Sequence, residues 1–127
     1  MGNKGKVSFD FDNTLSRSDV QDYAYELIAK GYDVHILTSR EPEDPYGIHF
    51  IDNSDLENIA RRVGIPKENI LYTSYCPKYW SLEDSGMLFH LDDCEVELGE
   101  IDRLIDVPAI NVNNYDWREH CDDVLGI

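Results

Sequence analysis

Four short clusters hold the residues best suited to chemistry in this chain. Asp10-Phe11-Asp12-Asn13-Thr14 spaces two carboxylates by one residue, and Asp92-Asp93 sets two side by side. Thr38-Ser39-Arg40 offers two hydroxyls and a guanidinium, and Lys78 an ammonium. These are the parts that phosphoryl transfer needs. Two or three carboxylates hold one Mg²⁺, which takes few protein oxygens and keeps waters and substrate phosphate. A carboxylate can attack phosphorus and split one difficult displacement into two easier ones. A second carboxyl group can protonate the leaving alcohol and then take a proton from water. A hydroxyl and an ammonium can hold the non-bridging oxygens as charge redistributes over them.

Such a set works only if the fold gathers it, and the hydrophobic periodicity alternates between strand and helix along the whole chain. Strands are predicted over Lys6 to Phe11, Asp33 to Leu37, Ile70 to Thr73, Met87 to Leu91 and Ala109 to Val112. Between the first two, Ser18 and Gln21 form a capping box, with Val20, Tyr23, Ala24, Leu27 and Ile28 as an apolar stripe and Gly31 as the stop. Ser54 and Glu57 repeat the box ahead of Leu56, Ile59, Ala60 and Val63, and Gly64 ends that helix. A polar loop follows the second strand from Arg40 to about Gly47. Lys78 to Asp84 reads as a short helix behind Pro77, a residue suited to a first helical position. Cys94 to Ile105 and Asp116 to Leu125 complete the helices.

Five strands alternating with helices predict the α/β class: a single-domain, Rossmann-like three-layer sandwich over residues 1–127. Its centre is a parallel five-stranded sheet with helices on both faces. Ligands in open sheets of this kind bind beyond the carboxyl ends of the strands, where strand order reverses. The first, second and fourth strands end in the clusters above, and Lys78 starts the helix after the third.

In this order and context the four clusters resemble the motifs of the haloacid dehalogenase-like (HAD) hydrolase superfamily over residues 7 to 93; the remainder matches only as a strand–helix finish. The resemblance implies a Mg²⁺-dependent phosphatase that hydrolyses a phosphate monoester through an aspartyl-phosphate. It makes Asp10 the nucleophile and a metal ligand, and Asp12 the general acid/base whose backbone carbonyl also reaches the metal. Thr38 would hydrogen-bond the phosphoryl group and Lys78 would balance its charge. Asp92 would ligate Mg²⁺, with Asp93 ligating through water or positioning Lys78. Superfamily members often carry a cap domain, but neither interval between the motifs has room for one. The resemblance therefore implies no cap and an open site, shielded by the Arg40 to Asp52 loop or by a second copy in a homo-oligomer. Thr38-Ser39-Arg40-Glu41 also resembles the 3′-phosphatase domain of polynucleotide kinases, which makes a 3′-phosphorylated nucleic-acid end an alternative substrate.

Other readings of the same residues weigh less. An EF-hand loop beginning at Asp10 needs Gly at its sixth position and Glu at its twelfth, where this chain has Leu15 and Gln21. A response-regulator-like phosphoacceptor shares the residue types, but there the acidic pair comes early and the phosphorylated Asp in mid-chain. A phosphotransferase would use the same residues with a different acceptor, and a non-catalytic module would not need all four motifs. Ser39 and Arg40 are candidate substrate contacts; Arg40 alternatively pairs with Glu41 or Glu43. Lys67 precedes the third strand, at the wrong end of the sheet to replace Lys78. Tyr75, Tyr79 and Trp80 line a pocket or serve as packing. His35 and His90 fall inside predicted strands, where a buried, hydrogen-bonded histidine is the default.

Composition sets the outer bounds. Twenty-six acids against eleven bases leave a net charge of −15 in 127 residues, a surface that repels nucleic-acid backbones and anionic lipid. A phosphorylated small molecule or nucleotide is the expected partner, and nucleic acid is disfavoured. No apolar run reaches the roughly 18 residues of a membrane span. The polar N-terminus leads directly into a strand without a signal-peptide pattern, and Gly2 is followed by Lys6 where an acylation motif needs Ser or Thr. Three widely spaced cysteines suit neither a disulfide framework nor structural zinc. The expected setting is the cytoplasm.

Overall fold

The computed structural model describes residues 4–127; Gly2 lies outside them. Five parallel strands, β1 (Lys6–Phe9), β2 (Asp33–Thr38), β3 (Ile70–Tyr72), β4 (Met87–Asp92) and β5 (Ala109–Asn111), form one sheet in the order β3-β2-β1-β4-β5. The chain runs outward from β1 through β2 to β3, then crosses back to β4 and β5. Strand order therefore reverses between β1 and β4, and the crevice at their carboxyl ends is the place such a sheet provides for a ligand.

Helices cover both faces, as the alternating periodicity predicts. On one face, α1 (Ser18–Ala29), α2 (Ser54–Val63) and α5 (Trp117–Leu125) pack on Val7, Phe9, Val34, Ile36, Phe89 and Leu91. Phe9 and Phe89 meet edge to face at 5.7 Å between centroids, an arrangement worth about 0.5–1.5 kcal/mol beyond the area it buries. It clamps β1 to β4 directly beneath the crevice. On the other face, α3 (Lys78–Leu82) and α4 (Glu95–Leu104) enclose a smaller core of Leu37, Leu82 and Ile101.

The β1–β4 pairing shifts register: Lys6 faces Met87, but Ser8 faces His90. One extra residue in β4 makes a bulge, which changes which side chains share a face. Met87 thereby joins the α3/α4 core, and His90 comes beside Ser8.

Most element ends differ from the sequence reading by a residue or two; α3, for example, stops at Leu82 instead of Asp84. β1 stops at Phe9 instead of Phe11, because Asp12 is extended and Asn13 left-handed (φ 61°), which turns the chain out of the sheet. Neither capping box forms: Arg17 and Asn53 are the N-caps, so Ser18 and Ser54 already lie inside their helices. Gln21 Nε2 instead donates to the Ser16 carbonyl, and the Ser54 N–H to Asp52. Pro77 is the N-cap of α3 and not its first helical residue. The glycine stops are as expected. Gly31 is left-handed (φ 100°), and the Tyr32 N–H closes onto the Leu27 carbonyl at 3.0 Å. Among the described residues, no helix is long and apolar enough to cross a membrane.

Candidate functional site

Asp10 follows β1 immediately, its N–H bonded to the Leu91 carbonyl of β4 at 2.9 Å. Its carboxylate is thus delivered into the crevice between the two strands. The Phe11–Leu15 turn folds back so that Thr14 Oγ1 donates to Asp10 Oδ2 at 3.1 Å. From the other side, Lys78 Nζ donates to Asp10 Oδ1 at 2.8 Å and to Asp92 Oδ2 at 2.7 Å. Lys78 is buried despite its charge, and its backbone N–H is capped by Glu97 of α4 at 3.2 Å. An ammonium has three donors; two are committed to carboxylates, which leaves one for a ligand.

Asp92 is fully buried and accepts four hydrogen bonds. Oδ2 takes Lys78 Nζ and His90 Nε2, and Oδ1 takes the N–H groups of Asp93 and Cys94. Asp93 is half-buried and its carboxylate faces Asp10. One ligand oxygen from each of Asp10, Asp92 and Asp93 lies within 4.8 Å of the others.

The electrostatics of this group are lopsided. Burial, and then the charge of Asp92, push the Asp10 carboxyl up to about 8, against the pull of Lys78. Burial also pushes Asp92 upward, but donors from His90 and Lys78 outweigh it and hold that carboxyl below the ordinary range. Lys78 is stabilised as the ammonium because its two carboxylates overcome the burial that disfavours its charge. Burial pushes the His90 imidazole below its ordinary range, against the pull of Asp92. Three carboxylates against one ammonium leave a negative excess in a low-dielectric crevice, and a metal cation fits it: hard oxygen donors, tightly clustered, with the raised Asp10 carboxyl reflecting the missing positive charge.

Asp12 and Arg40 form a second, more exposed group at the rim. Arg40 donates from Nε and Nη2 to Asp12 at 3.0 and 2.8 Å, and from Nη1 and Nη2 to Asp55 at 2.8 and 2.9 Å. Its guanidinium lies over the Phe11 ring. Arg40 therefore pairs with Asp12 and Asp55 and not with Glu41 or Glu43. It lowers the Asp55 carboxyl to about 2. Thr38 is buried at the end of β2, where its Oγ1 accepts the Arg40 N–H at 3.2 Å, so its own proton remains to be donated. Ser39 is half-buried and holds the Tyr75 N–H through its carbonyl at 2.9 Å. Beyond Arg40 opens a cavity of about 480 Å³ with acidic and aromatic walls, including Glu41, Phe50, Asp52, Asp55 and Tyr75. Tyr75 lines it as a pocket residue would; Trp80 is exposed, and Tyr79 packs against the smaller core.

The structure thus joins Asp10, Lys78, Asp92 and Asp93 in one cluster and Asp12 with Arg40 in another. Thr38 and Ser39 stand at the neighbouring strand end. Sequence reasoning placed Thr14 in the first motif without a role for it, and missed Asp55, Glu97 and the link from His90 to Asp92. Of these, His90 was findable, because positions two apart on a strand share a face. Among the described residues the cysteines are unpaired, Cys76 and Cys94 exposed and Cys121 buried. Compared with family models, curated proteins and solved structures, the chain matches none, so its chemistry has to be argued from this geometry.

Proposed function

We propose that the chain is a phosphatase of the HAD type, acting as one catalytic domain on a small phosphate monoester with Mg²⁺ as its cation. The observation that carries the reading is the buried Asp10–Lys78–Asp92 cluster at the point where strand order reverses, with Asp93 facing Asp10.

Asp10 is the nucleophile. Its oxygen bonds to phosphorus as the ester P–O bond breaks, and Asp12 gives its proton to the departing alkoxide. Water then attacks the aspartyl-phosphate, Asp12 takes that proton back, and inorganic phosphate leaves with Asp10 restored. The uncommitted Lys78 N–H and the Thr38 hydroxyl bind non-bridging oxygens, where charge accumulates. Arg40 keeps Asp12 at the rim; because Asp55 shares the guanidinium, Arg40 stays in place while Asp12 alternates between acid and base. Asp10 and Asp93 would hold the Mg²⁺ directly, which supplies the positive charge that lets Asp10 ionise and that neutralises the incoming phosphate. Asp92, with four hydrogen bonds already accepted, fits better as the anchor of Lys78. That exchanges the roles the sequence resemblance implies for the adjacent pair.

The acidic walls of the cavity beside Arg40 favour a leaving group without further negative charge, which ranks a small metabolite or nucleoside phosphate above a nucleic-acid end. The test is Mg²⁺-dependent phosphate release from an aryl phosphate and a panel of phosphate esters. The expected outcome is turnover that Asp10→Asn reduces by at least about a thousandfold, the scale on which nucleophile removal acts. A magnesium-replete, folded protein inactive across the panel would overturn the proposal.

A further inference from the structure

Ser8 and His90 have no place in the mechanism above, yet both are completely buried on the sheet face that α3 and α4 cover. Apolar side chains would satisfy packing there at lower desolvation cost. Their hydrogen bonds run in one direction. Ser8 Oγ lies 2.7 Å from His90 Nδ1 but 3.5 Å from its other acceptor, the Phe89 carbonyl, so the hydroxyl proton points at the ring. Nδ1 is then the acceptor, and the ring proton sits on Nε2, 2.8 Å from Asp92 Oδ2. The same Asp92 oxygen accepts Lys78 Nζ, which in turn holds Asp10 Oδ1. The chain Ser8 → His90 → Asp92 ← Lys78 → Asp10 is continuous, and the β4 bulge that aligns Ser8 with His90 makes it possible.

We infer that His90, held as its Nε2–H tautomer by Ser8, is a positioning residue for the reaction: it pins the Asp92 carboxylate so that Lys78 is presented to Asp10 and to the phosphoryl group. The inference rests on the phosphatase reading for its catalytic consequence but not for its geometry. Without the histidine, Asp92 keeps Lys78 and its two backbone donors, yet its Oδ2 edge can rotate, and Lys78 moves with it. The loss belongs in kcat, since the ammonium matters most as charge builds on the phosphoryl oxygens.

A sheet-face polar relay kept only for the fold would lose stability when removed but keep its kcat per folded molecule. A positioning relay loses both. Replacing both members by apolar residues, Ser8→Ala with His90→Leu, removes the polar pair but also takes one of four donors from the buried Asp92, so some loss of stability is expected. The expected result is a lowered thermal midpoint that still leaves the protein folded at assay temperature, with kcat per folded molecule on an aryl phosphate about 10–100-fold lower and KM little changed. His90→Gln, whose amide can reach Asp92, is expected to recover most of kcat. Wild-type kcat in the double variant, or a glutamine variant as slow as His90→Leu, overturns the inference.

A second arm needs no turnover. Imidazole nitrogen resonances of the metal-free wild-type protein are expected to report a His90 proton on Nε2, protected from exchange, and less protected in Ser8→Ala, where Asp92 alone holds it. A ring protonated at Nδ1 alone overturns the inference whether or not the protein is a phosphatase. An inactive wild type with the expected tautomer would instead sink the phosphatase reading and leave the relay standing.

Discussion

Burial and the charge of Asp92 push the Asp10 carboxyl up to about 8 in the metal-free fold, from an ordinary value of 3.8. Between those limits the folded state binds a proton that the unfolded chain has released, so stability falls as pH rises through the window. Asp92 shifts the other way, and its depressed carboxyl gives up stability only as pH drops below 3.8, outside that window. In EDTA, the thermal midpoint is expected to fall between about pH 6.5 and 8, above the range in which His90, pushed down by burial, opposes Asp10, while Mg²⁺ raises it increasingly as pH rises because the cation replaces the proton. Midpoints that stay flat in EDTA, or a magnesium effect that shrinks with pH, would contradict the charge balance described for the cluster. Lys78 is the counterpart. Lys78→Met leaves two buried carboxylates without their shared donor and is expected to cost about 3–5 kcal/mol in urea unfolding. Adding Asp10→Asn should return part of that loss, because the two residues are in direct contact.

At the level of elements, the turn between β3 and α3 decides where Lys78 points. Ser74 and Tyr75 are consecutive left-handed residues (φ 52° and 64°), neither of them a glycine. Three backbone hydrogen bonds hold them there: Ser74 N–H to the Arg40 carbonyl, Tyr75 N–H to Ser39 and Cys76 N–H to Thr73. The turn is thus stapled to the end of β2, so the loop carrying Arg40 and the helix carrying Lys78 are set by one junction. A left-handed non-glycine residue costs about 1–2 kcal/mol, and glycine recovers that at an entropic cost of about 0.5–1 kcal/mol. Ser74→Gly is therefore expected to stabilise the fold by up to about 1 kcal/mol, read from the denaturant midpoint, with turnover retained because the hydroxyl has no role in the site. A loss of stability would mean the backbone is not strained at this turn.

Across the whole molecule, the −15 charge is a self-repulsion distributed over the surface. Individual surface pairs, such as Arg118 with Glu26 and Arg17 with Asp19, contribute little against it. Screening shortens the Debye length from about 30 Å at 0.01 M to about 8 Å at 0.15 M salt, so the metal-free thermal midpoint is expected to rise with sodium chloride over that range. A midpoint that falls with salt would mean surface ion pairs outweigh the repulsion. The same field bears on partners: an acidic molecule with an acidic cavity wall is poorly matched to a nucleic-acid backbone and better matched to one small phosphate neutralised by a cation.

Local pattern was enough for the five strands, the helices between them, the glycine stops, and the siting of Asp10, Thr38, Lys78 and Asp92 at or after strand ends. Those features depend on neighbours a few positions away, which a hydrophobic period and a left-handed stop encode directly. The helix starts were less legible, because Arg17 and Asn53 cap through backbone geometry without the side-chain signature that Ser18 and Ser54 advertise. Folding alone decided which carboxylate of the adjacent pair has its lone pairs filled, that Arg40 bridges Asp12 to Asp55, and that a bulge lines up Ser8 with His90. Lys78 meets Asp10 across 68 residues of chain and Ser8 meets His90 across 82. Partners that far apart are chosen by strand order and register, and an insertion of one residue in β4 changes which side chains face each other.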